Sequence, residues 1–174
     1  NRPGRCGGAA GGAMIRPATS ADRTAIRDLH LASWRDSYGA ELSADYLRDT
    51  LPAAMDEKWS ARTFGAPELT LVAYTDTEMT GFACALTDRE PPLIDNLHVR
   101  PELRGGGTGG KLLAAMKVAL REAGFVRAYL TVLESNPRAL AFYLAQGGVD
   151  EGPVDDIMVG HVVKARRIGF DLCS

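Results

Sequence analysis

The chain has no apolar run approaching the roughly 18 residues that a bilayer span requires, which argues against a membrane protein. It also has no surplus of positive charge. Its 20 Lys and Arg against 22 Asp and Glu leave −2 at pH 7, so it lacks the basic surface of a dedicated nucleic-acid binder. Cysteine is scarce: Cys6, Cys84 and Cys173 are an odd number set far apart. They offer neither a disulfide framework nor C-x-x-C metal spacing, so the expectation is a reducing, cytoplasmic setting and no bound metal. Apolar residues, at 45%, are too many for a disordered chain. The 174 residues suit one compact domain, or one with a small appendage.

Glycine is unevenly distributed, with one cluster between Gly4 and Gly12 and another between Gly105 and Gly110. The first lies in residues 1–13, which have no periodicity and almost nothing to bury. That stretch reads as a tag or an N-terminal extension, without the roughly 7–15-residue apolar segment of a secretory signal. Residues 14–174 then form the domain.

From Met14 the pattern predicts an edge strand at Ile15–Pro17, because Pro17 limits ladder pairing. Thr19-Ser-Ala-Asp22 matches a capping box ahead of a helix that carries Ile26, Leu29, Ser33 and Trp34 on one side. Helical regions follow at Ser43–Leu51 and Met55–Thr63. Strands follow at Leu69–Tyr74, Thr80–Leu86 and Leu93–Val99, the first two joined as a hairpin through Thr75–Met79. Leu113, Met116, Leu120 and Ala123 share a helical face that Gly124 terminates. Arg127–Val132 reads as a strand, and Asn136-Pro137 opens a short helix that ends by Gly147. A last strand is predicted around Met158–Val163. Antiparallel hairpins followed by a βαβ unit predict an α/β domain built on a mixed, mostly antiparallel sheet flanked by helices.

The second glycine cluster, Arg104-Gly-Gly-Gly-Thr-Gly-Gly-Lys111, follows a strand and opens a helix. Residues without a Cβ let backbone N–H groups turn inward and approach a ligand closely. The helix N-terminus adds partial positive charge, so a phosphate or pyrophosphate is the expected guest rather than open solvent around a flexible loop. Two generic patterns fit in part. Gly105-x-Gly107-x-x-Gly110 matches a dinucleotide fingerprint, and Gly105-x4-Gly110-Lys111 matches most of a Walker A loop. The second has Leu112 where magnesium needs Ser or Thr. The first is separated from its strand by Arg100–Arg104 and followed by too little chain for a doubly wound sheet.

A third pattern covers more residues. Leu97-His-Val-Arg-Pro-Glu-Leu-Arg-Gly-Gly-Gly-Thr-Gly-Gly-Lys-Leu-Leu113 resembles motif A of the GNAT superfamily of acetyl-CoA-dependent N-acetyltransferases. Arg104, Gly107 and Gly109 fall on its defining positions. Asn136-Pro-Arg-Ala-Leu-Ala-Phe-Tyr-Leu-Ala-Gln-Gly147 resembles motif B, and Ile15–Ala18 with Trp34–Tyr38 resemble the start of a common subgroup. The likeness spans about Met14 to Val163. Gly148 departs from it, since the family usually carries an aromatic or aliphatic residue there; this leaves open how the next strand starts and packs.

The resemblance implies that acetyl-CoA is the co-substrate, with its pyrophosphate on the backbone of Arg104, Gly105, Gly106, Gly107, Thr108, Gly109 and Gly110. It implies a sheet splayed at Leu97, His98 and Val99, whose free backbone groups pair with the pantetheine arm. The Val99 N–H then stabilises the developing oxyanion. Asn136 and Tyr143 complete the cofactor side, and Tyr143 is the candidate acid for the leaving thiolate, its alternative being a packed aromatic. For the base, Asp95, His98 and Glu134 are candidates beside the cleft, His98 because it titrates near neutrality. If β pairing alternates regularly, Asp95 and Leu97 share one face. Trp34 and Tyr38 are core or a wall of the acceptor pocket, and Cys84 reads as core. The partner expected is a small-molecule or peptide amine, with no nucleic acid and no membrane; a homodimer is compatible with this. A degenerate acyl-CoA-binding module and a nucleotide-binding enzyme remain the alternatives.

Overall fold

The computed structural model describes residues 14–39, 42–158 and 160–173. Residues 1–13, with Cys6, lie outside the described part. Along the chain come β1 (Met14–Pro17), α1 (Arg23–Tyr38), α2 (Leu51–Ser60), β2 (Glu68–Thr75), β3 (Glu78–Leu86) and β4 (Leu93–Val99). Then follow α3 (Thr108–Glu122), β5 (Arg127–Leu133), α4 (Pro137–Ala145), β6 (Val149–Met158) and β7 (His161–Asp171). Seven strands make one mixed sheet in the order β1-β2-β3-β4-β5-β7-β6. Among the described residues only the β4–β5 pair is parallel, as expected for a mostly antiparallel α/β domain.

The central strands are covered on both faces, so they read as apolar runs rather than alternations. Met79 through Ala85 of β3 are all buried. On one face, Leu71, Ala73, Ala83 and Ile94 pack with Leu112, Leu113, Met116 and Leu120 of α3. On the other, Val72, Phe82 and Cys84 meet Ile26 and Leu29 of α1 and Trp59 of α2. Leu113, Met116 and Leu120 are buried on α3 as expected, together with Leu112, whereas Ala123 is the exposed C-cap.

Two expectations are corrected. The separate helical regions at Ser43–Leu51 and Met55–Thr63 are one run over 44–60, in which a π turn at Tyr46–Thr50 leads into α2. Pro52 lies in the first turn of α2, directly after the wide turn, where its missing N–H and its ring are tolerated. The chain leaves the helix before Thr63, and Arg23 of α1 takes the carbonyls of Trp59 and Arg62.

The strand expected at Met158–Val163 is instead the tip of a hairpin formed by two strands of 10 and 11 residues. Periodicity fails here because β6 is acidic and carries Gly152 and Pro153 at a bulge, so few apolar residues mark it. Opposite charge on β7 holds it. Arg166 meets Asp150 at 3.0 Å, Arg167 meets Glu151 at 3.2 Å and Lys164 meets Asp155 at 2.8 Å.

Candidate active site

The sheet opens between β4 and β5. Their register pairing is Leu93 with Tyr129, and the Tyr129 N–H donates to the Pro92 carbonyl at 3.1 Å. Beyond that point β5 pairs with β7 and β4 with β3. The Arg100 N–H donates to Thr80 O at 2.9 Å, which sets the phase of the β3–β4 ladder. Hydrogen-bonded pairs alternate in an antiparallel ladder, so His98–Phe82 and Asn96–Cys84 exchange bonds. The N–H and C=O groups of Leu97 and Val99 therefore point the other way, into the gap beside β5. These are the free groups that an extended ligand arm can pair with.

The glycine turn stands at one end of this gap. Gly105 and Gly107 each have φ of +87°, and the space a Cβ would take is open at both. Gly107 is the N-cap of α3 and offers no side chain to it. The first intrahelical bond runs from Lys111 N to Gly107 O at 3.1 Å, so the N–H groups of Thr108, Gly109 and Gly110 emerge at an uncapped helix end. Gly109 and Gly110 have a second reason to lack side chains. A Cβ on Gly109 would lie 3.3 Å from Phe142, and one on Gly110 would lie 3.3 Å from Gln146, so α4 packs closely against this end of α3. The Arg104 side chain turns away from the turn and makes an ion pair with Asp36 of α1.

Helix α4 packs beside β5 and against the N-terminal end of α3. Asn136 caps it, its Oδ1 accepting from the Ala139 N–H at 3.2 Å. Phe142 and Tyr143 pack against the α3 side of the core. Burial pushes the Tyr143 phenol above its ordinary pKa, and the nearby Tyr38 phenol pushes it further. The group therefore stays protonated well into the alkaline range. Tyr38 also meets Trp34, with ring centroids 4.8 Å apart, and Trp34 packs against the cluster of Leu31, Leu51 and Met55. The unusual Gly148 has a steric cause. A Cβ there would lie 2.5 Å from Ile168 and 2.8 Å from the Tyr143 carbonyl, so only glycine lets α4 return onto β7. β6 starts at the next residue.

The base candidates are placed differently from regular alternation. Ile94 pairs with Ala85 and Asn96 with Cys84, so Asp95 is an extra, bulged residue. The bulge puts Asp95 on the side of α2, not with Leu97: its carboxylate meets Arg62 at 3.0 Å and Lys58 at 3.7 Å. Glu134 lies near Arg166 at 3.6 Å. His98 does not titrate near neutrality. Burial, then the charges of Lys58 and Arg104, hold its pKa down to about 3. Its Nδ1 lies 2.8 Å from Ser33 Oγ, and its ring lies 4.6 Å from that of His30. His30, fully enclosed, is also held far below its ordinary pKa by burial and by His98. Cys84 is buried, and its thiol is pushed up by that burial.

Ser33, Asp36, His30 and Arg62 were not identified as site residues from the sequence. Ser33 carried the one available signal, a hydroxyl on the apolar stripe of α1. Among the described residues, no group of His, Cys, Asp and Glu is arranged to hold a metal, and no helix is long and apolar enough to cross a membrane.

The model of the acetyltransferase (GNAT) family matches residues 10–147. The chain is 29% identical over 111 residues to an IAA acetyltransferase of Azospirillum brasilense, covering 62% of this chain and 72% of that one. Among solved structures it resembles the PaiA N-acetyltransferase of Thermoplasma acidophilum in complex with coenzyme A, with a TM-score of 0.74, 17% identity, and 92% and 99% of the two chains covered. It also resembles YncA of Salmonella typhimurium with acetyl-CoA, with a TM-score of 0.68, 19% identity, and 92% and 94% covered.

Proposed function

The chain belongs to the acetyltransferase (GNAT) family and is an acetyl-CoA-dependent N-acetyltransferase, and from that premise we propose direct transfer to a primary amine within a ternary complex. The observation that carries the mechanism is the gap between β4 and β5, lined by the free backbone groups of Leu97 and Val99 and closed at one end by an uncapped glycine turn. We take residues 14–174 as the catalytic domain.

In this reading the turn from Gly105 to Gly110 holds the pyrophosphate by backbone N–H groups and the α3 dipole. Leu97 and Val99 pair with the pantetheine arm. The Val99 N–H bonds the thioester oxygen and stabilises the charge that builds there as the amine nitrogen attacks carbon and the carbon–sulfur bond breaks. Tyr143, kept protonated by burial, hydrogen-bonds the departing sulfur and supplies its proton. Asp95 is engaged by Arg62 and Lys58, and His98 is too weak a base to store a proton at neutral pH. With Glu134 beside Arg166 as well, this reading passes the amine proton to water rather than to a dedicated side chain.

Differential scanning against acetyl-CoA, ATP and NAD, followed by thiol release with a panel of primary amines, tests this. Stabilisation by acetyl-CoA alone and amine-dependent release of free thiol are expected. Stabilisation by a nucleotide but not by acetyl-CoA overturns it. Stabilisation by acetyl-CoA without turnover on any amine would mark a degenerate binding module.

A further inference from the structure

The phosphate turn contains three successive glycines, Gly105, Gly106 and Gly107, which carry no side chain to fix it. At Gly105 and Gly107 nothing lies within 4 Å of the place a Cβ would take, so no neighbour packs on the turn there. Glycine also loses the most backbone freedom on ordering. On its C-terminal side the turn is fixed by α3. On its N-terminal side the first side chain is that of Arg104, and it is engaged. One guanidinium nitrogen pairs with the Asp36 carboxylate, and the other donates to Ser33 Oγ at 3.5 Å. Ser33 and Asp36 are three residues apart on α1, and therefore neighbours on one face of it. Ser33 is 2% exposed, and its Oγ lies 2.8 Å from His98 Nδ1. His98 stands on β4 between Leu97 and Val99, whose backbone groups face the gap. One polar chain, Asp36–Arg104–Ser33–His98, thus runs from the phosphate turn across α1 to the strand that lines the gap.

We infer that Asp36 and Ser33 are positioning residues: by holding Arg104, they keep the phosphate turn shaped and in register with β4 before acetyl-CoA arrives. The inference rests on the reading of the turn as the pyrophosphate cradle and of Leu97 and Val99 as the pantetheine rim. Neither α1 residue is asked to touch the cofactor. Coenzyme A must be gripped at both places at once, so a turn displaced relative to β4 satisfies one end only. Order fixed beforehand is order that binding need not impose, and affinity gains accordingly. The charge of Asp36 separates this role from a direct one. A carboxylate near a pyrophosphate repels it, and the guanidinium it occupies would attract the same group if released. Direct electrostatics therefore predicts tighter binding when Asp36 is removed, whereas positioning predicts weaker binding.

Acetyl-CoA affinity is measured by calorimetry in the wild type, Asp36→Ala, Asp36→Glu, Arg104→Gln and the double variant Arg104→Gln with Asp36→Ala. Backbone order parameters of Gly105, Gly106 and Gly107 are measured by NMR in the ligand-free proteins. The Asp36 side chain is 48% exposed, so its truncation leaves the core untouched. Asp36→Ala is expected to bind acetyl-CoA about 5-fold more weakly, the worth of one partly exposed ion pair, with lower order parameters at the three glycines. KM for acetyl-CoA rises with it, and kcat moves less. Asp36→Glu restores both affinity and order. In the Arg104→Gln background Asp36→Ala costs nothing further, because the tether is already cut. Unchanged or tighter binding in Asp36→Ala overturns the inference, as does an equal loss with and without Arg104. In both cases binding of acetyl-CoA by the wild type keeps the cofactor reading standing. Failure of the wild type to bind acetyl-CoA overturns that reading and this inference with it.

Discussion

Leu93 and Tyr129 form the register pair that joins β4 to β5, and past them the two strands part. One stitch at the bottom and none above turns a continuous sheet into two wings, β1 to β4 and β5-β7-β6. The shared α3 core, with α4 packed against it, holds the wings together. The Leu97 and Val99 backbone groups are left without a strand partner, a cost of about 1–3 kcal/mol per buried group when nothing pairs with it. A ligand arm that supplied the missing bonds would recover that cost, which is why the proposed function places the pantetheine arm at this opening.

Gly107→Glu tests the turn. The position has φ of +87° and open space around the missing Cβ, so the new side chain strains the backbone by about 1 kcal/mol without a clash. Its bulk and negative charge stand where the phosphate is expected. Loss of acetyl-CoA binding by calorimetry is expected, with Tm lowered by only a few degrees. Gly107→Ala carries the same strain without the charge and should bind more weakly than the wild type but measurably.

Tyr143→Phe tests the acid. The ring still packs beside Phe142, so the fold and acetyl-CoA affinity are expected to stay unchanged. Turnover should fall about 10²-fold where chemistry is rate-limiting, the usual contribution of a positioned proton donor. Because the phenol is raised above its ordinary pKa, deprotonation of Tyr143 should produce no fall in kcat below about pH 10. An unchanged kcat in Tyr143→Phe removes the residue from the reaction.

Most of this site was legible because its parts are local. The turn, the Asn136 cap and the Gly124 stop each depend on a few adjacent residues, and glycine at positive φ leaves a direct mark in sequence. The polar layer beneath β4 was not legible. The pairing of Ser33 with His98 joins residues 65 apart, and the bulge at Asp95 reverses the face that simple alternation assigns. His98 also reads as a neutral-pH base in the sequence because a water-exposed imidazole titrates there, whereas burial and the charges of Lys58 and Arg104 decide its protonation in the folded chain. The terminal hairpin failed for another reason. Its strands are matched by opposite charge rather than by an apolar stripe, and periodicity does not register that.

Gly148→Ala tests the contact between α4 and β7. The added methyl would sit 2.5 Å from Ile168 Cγ2, 2.8 Å from the Tyr143 carbonyl and 3.2 Å from Phe170. Backbone on one side and the buried core on the other leave little room to yield, so a loss of about 1–3 kcal/mol is expected in urea denaturation. Since the Gly148 N–H also bonds the Tyr143 carbonyl at 3.0 Å, the shift reaches the acid, and kcat should fall more than acetyl-CoA affinity. A fully stable Gly148→Ala protein would show that α4 can move away from β7 at no cost.

The Arg16–Asp22 pair sets an acid limit on stability. Asp22 is buried before α1 and accepts from both guanidinium nitrogens of Arg16 at 2.8 and 2.9 Å, from the Thr19 N–H at 2.8 Å and from Tyr74 at 3.0 Å. The Arg16 bond first, then those to Thr19 and Tyr74, outweigh burial and lower its pKa from 3.8 to about 2. A carboxyl with a depressed folded pKa contributes stability that is complete above its unfolded value near 4 and disappears as pH falls through about 2. The shift corresponds to about 2 kcal/mol, reduced toward 1 because Arg16 is half exposed and screened. Asp22→Asn is therefore expected to be less stable than the wild type at pH 7, with the gap closing as the pH falls from 4 toward 2. Guanidinium denaturation of both proteins at pH 7, 4 and 3 reads this directly. A gap that stays constant between pH 7 and 3 would assign the loss to packing rather than to the charge.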